Sequence, residues 1–79
     1  MDIITEMQKQ MMNAMGHEVS VYIKAGQKTI YNPFVGKCVG FIKALDNVPE
    51  VASIHIQMAN ESCIFELMES EIEKIEIHD

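Results

Sequence analysis

A chain of 79 residues fits one domain, and at that size only about 60% of the unfolded surface is buried on folding, so a thin core supported by self-association is expected. With 48% hydrophobic residues and no low-complexity run the chain is too apolar for a disordered acidic tail, and no stretch approaches the roughly 18 apolar residues of a membrane span. The formal charge of -6 is uneven: residues 1–48 carry five Lys against four acids, residues 49–79 one Lys against eight acids, so a general nucleic-acid partner is not expected.

Asp2 and Glu6 stand where a secretory signal carries positive charge, so the expected location is cytoplasmic, or host cytoplasm for a phage-encoded chain. At 100° per residue, Ile3, Ile4, Met7, Met11, Ala14 and Met15 share an arc of roughly 120°, which predicts a core-facing helix over about 2–15. Asp2 is the expected N-cap and Gly16 the left-handed stop. Met12 lies off the stripe and can touch a neighbouring subunit.

After Gly16 the period becomes two. Val19, Val21 and Ile23 alternate with Ser20, Tyr22 and Lys24, predicting a half-buried strand over 19–24. Residues 25–28 make a turn, 29–31 a short strand, and Asn32-Pro33 a break. The run 34–45 is apolar on both parities, so it is buried on both sides or switches face at a bulge near Gly36 and Gly40. Further strands are predicted over 51–58, with Ile54, Ile56 and Met58 inward, over 62–67, with Cys63, Phe65 and Leu67 on one face, and over 74–77, with a helical turn within 68–73. Cys38 and Cys63 are read as free core thiols, and neither belongs to a CxxC pair or a metal site.

Within this frame Val39-Gly40-Phe41-Ile42-Lys43-Ala44-Leu45-Asp46 fits the first Sm motif, in which glycine bends a strand and aspartate opens the following turn. Met12-Asn13-Ala14-Met15 leading into Glu18-Val19-Ser20-Val21-Tyr22-Ile23 resembles the helix-to-strand entry of the Hfq-like family of RNA chaperones. The chain thus resembles Sm-like proteins. The resemblance implies a mainly β domain with an N-terminal α-helix, a strongly bent five-stranded antiparallel small barrel, and ring formation. Glu50 stands near the place of the family's base-holding Asn, and Phe65-Glu66-Leu67 near that of its Tyr-Lys-His triplet. The second motif's Arg-Gly is also missing, which argues against ordinary Sm-type RNA binding.

No GxSxG, phosphate-loop or HExxH signature is present, so no catalytic residue, metal ligand or cofactor is expected. The candidate ligand-binding residues are Tyr22, Lys24, Lys28, Tyr31, Asn32, Lys37, Lys43, Asp46 and His55. Lysine and aromatic side chains together hold a nucleotide by charge and stacking, although lysines also serve simply as solubilising charge. His55, flanked by Ser53 and Gln57, can line a polar site. Glu69, Glu71, Glu73 and Glu76 read as a solvated face that protects a sheet edge.

The leading expectation is a non-catalytic homo-oligomeric binding module for a small anionic, nucleotide-like ligand. The alternative is an acidic inhibitor or adaptor that docks on a basic protein partner, as small phage-encoded antagonists of host defence do. A divergent Sm-like RNA binder comes third.

Overall fold

The computed structural model describes residues 4–46, 50–59 and 62–78. One helix, α1 (Glu6–Asn13), precedes five strands: β1 (Glu18–Ile23), β2 (Phe34–Ile42), β3 (Ser53–Gln57), β4 (Ile64–Met68) and β5 (Ile72–His78). The strands form one antiparallel sheet in the order β4-β3-β2-β1-β5. Among the described residues no ladder joins β4 to β5, so the sheet is open and a closed barrel is not formed.

α1 starts later than predicted. Thr5 is the N-cap, its Oγ1 accepting from the Gln8 backbone N–H at 3.0 Å, and the expected cap Asp2 lies outside the described residues with Ile3. Met11 and Ala14 are fully buried with Met7 packed against them, whereas Ile4 and Met15 are exposed, so the core stripe is narrower than the pattern implied. Gly16 takes the predicted left-handed conformation at φ 81°, and its N–H donates to the Cys38 carbonyl, seating the end of the helix on β2.

Val19, Val21 and Ile23 of β1 are buried as expected. Residues 29–31 form no strand. β1, the strand they follow, already pairs with β2 on one side and β5 on the other, so they cannot fold back onto it as a hairpin. Tyr31 instead packs edge-on against Phe34 and Phe65, with ring centroids 5.5 and 6.0 Å away.

The doubly apolar run resolves as a face switch. Cys38 pairs with Ile56 but Gly40 with His55, so Val39 is an extra residue and the strand changes parity there. Phe34 and Cys38 are buried before the bulge, while Phe41 packs on the core after it. β2 ends at Ile42, before the predicted Leu45, and a 3-10 turn follows over Ala44–Asp46. Gly36 allows a close approach: a Cβ there would lie 2.5 Å from the Gln57 carbonyl oxygen. In place of the predicted third strand, the glycine-bent strand is therefore the second.

Ile54 and Ile56 of β3 and Leu67 of β4 point into the core as expected. Cys38 is buried, but Cys63 is exposed and precedes β4, which corrects its reading as a core thiol. The predicted helical turn is a 3-10 turn, Glu69–Glu71, and it joins β4 to β5, the two opposite edges of the sheet. β5 is longer than predicted because it begins at Ile72, which is buried opposite Ile23. No described helix is long and apolar enough to cross a membrane.

Candidate functional site

Two places collect polar groups: the outer face of the sheet, and a cleft where α1 meets the turn between β4 and β5. Register fixes the outer face. Tyr22, Ser20 and Glu18 of β1 stand opposite Lys74, Glu76 and His78 of β5. The Tyr22 hydroxyl donates to Glu76 Oε1 at 2.9 Å, Lys74 Nζ lies 4.6 Å above the Tyr22 ring, and Ser20 Oγ is 2.7 Å from His78 Nε2. These contacts, two diagonal and one between directly opposed residues, pin β5 onto β1. The bond to Glu76 raises the Tyr22 phenol above its usual range, with partial desolvation and the negative charge of Glu76 adding to it.

At the other end of the sheet, Ser53 Oγ donates to Glu66 Oε2 at 2.8 Å, and His55 Nε2 is 3.6 Å from the same oxygen. His55 is half-buried, and its ring lies over Gly40, where an added Cβ would come within 2.9 Å of Nδ1. The expected exposed Ser53-His55-Gln57 row is thus different in kind. Ser53 is fully buried and His55 is held by Glu66. Burial also raises the Cys38 thiol.

The expected ligand set does not gather into one site. Lys37 pairs with Glu18 at the start of β1 while Lys24 follows its end, six residues away, a separation of about 20 Å along an extended strand. Lys43 follows β2 and directly precedes Ala44, which lines the same cleft as Lys24, and Lys28 is exposed in the 24–33 loop. Asn32 clamps the end of β1, its Oδ1 accepting from the Ile23 N–H at 3.0 Å and its Nδ2 donating to the Ile23 carbonyl at 3.3 Å. Tyr31 belongs to the aromatic core, and Asp46 is exposed in the 3-10 turn after β2. Of Phe65, Glu66 and Leu67, the first and last face the core and Glu66 faces the outer side.

The cleft has a volume of about 430 Å³, within the range of small-ligand sites, and is lined by Met7, Gln8, Lys24, Ala44, Glu50, Val51, Glu69, Ser70, Ile72 and Glu73. Glu69 ties its walls together: Oε2 accepts from Thr5 Oγ1 at 2.6 Å and Oε1 from Gln8 Nε2 at 2.8 Å. Glu71 is also committed, with Oε1 accepting from the Met68 N–H at 3.1 Å. The four C-terminal carboxylates are therefore not one solvated face. Glu69, Glu71 and Glu76 each hold a specific donor, and Glu73 is exposed at the cleft.

Three carboxylates and one ammonium line this cleft. Each close pair of unit charges contributes about 1 kcal/mol in a water-like dielectric, so the sum disfavours a phosphate there and favours a positive group. The periodicity arguments missed Gln8 and Glu69. The sequence Thr5-Glu6-Met7-Gln8 does carry the capping-box spacing, but Glu69 lies more than sixty residues away and no local pattern marks it. Among the described residues no group of three or more His, Cys, Asp or Glu side chains is arranged to hold a metal ion. Comparison of the chain with protein-family models, with curated proteins and with solved structures finds no match.

Proposed function

We propose that the chain is a non-catalytic binding module that works as a homo-oligomer, its copies joined by main-chain pairing at open sheet edges. One observation carries this reading: among the described residues β4 and β5 are the two edge strands of the sheet, with no further strand beyond either, an arrangement that invites another strand. A thin core gives self-association a stabilising role as well. Native mass spectrometry at micromolar concentration tests it: a defined oligomer is expected, and a monomer throughout overturns the reading.

In this reading the sheet is a strongly curled, Sm-like small barrel. A flat five-stranded sheet separates its edges by about 19 Å, whereas the four Cα steps from Met68 to Ile72 span at most about 15 Å, and less when coiled as a 3-10 turn. That short connection supports the curl.

Of the lysines in the expected set, Lys24 alone lines the cleft, so a nucleotide-like ligand meets little positive charge there. The charge of the cleft favours the second reading, an acidic adaptor or inhibitor whose carboxylates receive a basic partner. The small-molecule fraction released by heating the purified protein separates the two. With no Trp and two Tyr the chain absorbs weakly, so bound nucleotide would stand out in the ultraviolet spectrum. Its presence supports the ligand module and its absence the adaptor.

A further inference from the structure

Pairing with β1 assigns the two faces of β5. Lys74 and Glu76 lie on the outer face opposite Tyr22 and Ser20, and Ile75 and Ile77 on the inner face opposite Val21 and Val19. Glu73 is the extra residue at the register shift between Tyr22 and Ile23, so regular alternation begins at Lys74. Among the described residues, no other strand of the sheet pairs with the far side of β5.

The sequence on that edge complements itself. When Glu73-Lys74-Ile75-Glu76-Ile77 is laid antiparallel against a second copy with the axis at Ile75, Lys74 meets Glu76 and Glu76 meets Lys74 on the outer face. Ile75 meets Ile75 on the inner face, and Glu73 meets Ile77. Moving the axis one residue either way sets Lys74 against Lys74 or Glu76 against Glu76, and directly opposed like charges destabilise a ladder. Charge thus fixes the register as well as permitting the contact. The other edge lacks this property, because β4 paired with itself about its centre places Glu66 against Glu66.

We propose that two copies of this chain pair β5 to β5 about a two-fold axis at Ile75, making one continuous ten-stranded sheet. The proposal rests on the self-association reading above and specifies its edge, symmetry and register. The partner is a second copy because a two-fold axis brings each strand's complement to the other at once. Ile77, 40% exposed in the single chain, is partly covered by the partner's Glu73 stem.

Reciprocal charge reversal tests it, read by sedimentation equilibrium on the full chain with circular dichroism as the folding check. Lys74→Glu and Glu76→Lys each turn two attractive pairs into repulsive ones, so each is expected to weaken the dimer by about tenfold or more, and the double variant to recover most of that loss. Single variants that associate like the parent overturn the proposal, as does a folded double variant that fails to recover. Recovery of Lys74→Glu by Glu66→Lys would instead set β4 of a neighbour against β5 and overturn the two-fold. If a variant fails to fold, salt decides on the parent chain: the dimer weakens as ionic strength rises, and a salt-indifferent dimer overturns the register. A parent chain that stays monomeric removes the self-association reading itself, whereas a trimer or other odd assembly removes only the β5 pairing.

Discussion

The inner and outer faces of the sheet are built on different chemistry. Inward, Val19, Val21, Ile23, Phe34, Cys38, Ile54, Ile56, Leu67 and Ile72 are buried and join Met11 and Ala14 of α1 in one apolar cluster. Outward, Ser20, Tyr22, Ser53, His55, Glu66, Lys74, Glu76 and His78 are linked in small polar groups. The inner face supplies stability through area removed from water, and the outer face fixes which strand lies beside which. Residues that look like ligand groups in the sequence are, in several cases, part of that outer fastening.

Substitutions should separate the two faces by size of effect. Ile54→Ala removes a fully buried side chain from the middle of the inner face and is expected to cost about 2–5 kcal/mol in denaturant unfolding. Gly36→Ala comes next at about 1–3 kcal/mol, because the new methyl meets the Gln57 carbonyl at 2.5 Å and backbone must move. Gly40→Ala should be milder, since the crowded group there is the His55 side chain. Equal losses at the two glycines would contradict this assignment of close approach.

Thr5→Ala removes both the cap of α1 and the bond to Glu69, with an expected loss of about 1 kcal/mol and faster hydrogen exchange in the first turn of α1. An unchanged melting curve would show that the cap contributes nothing. The smallest effect belongs to the outer face. Tyr22 should ionise above its ordinary value near 10, and Glu76→Gln should lower it, as read by ultraviolet titration of the phenol. The folded state holds this proton more tightly than the unfolded chain. The contribution is therefore complete below the unfolded value and fades as pH rises through the raised folded one.

The same division decides what could be read from sequence. Strand alternation identified Val19, Val21, Ile54, Ile56 and Leu67 because a period of two needs only local sequence. The face switch near Gly40 was legible as an apolar run on both parities, though only pairing identifies Val39 as the extra residue. Residues 29–31 misled because Thr, Ile and Tyr favour strands, while the outcome depended on β1 having both sides taken. Cys63 shares the parity of Phe65 and Leu67 but lies before the first paired residue of β4, so it stays outside the core. The cleft was hidden for a similar reason. Its walls meet through Thr5, Gln8 and Glu69, contacts that exist only after the sheet has formed.

The central claim is that the free side of β5 is an assembly surface, and residue-resolved hydrogen exchange measures it most directly. Backbone amides of 74–77 that point away from β1 should be protected at high protein concentration and lose that protection on dilution, while those bonded to β1 stay protected throughout. Outward amides that exchange rapidly at every concentration would contradict the account.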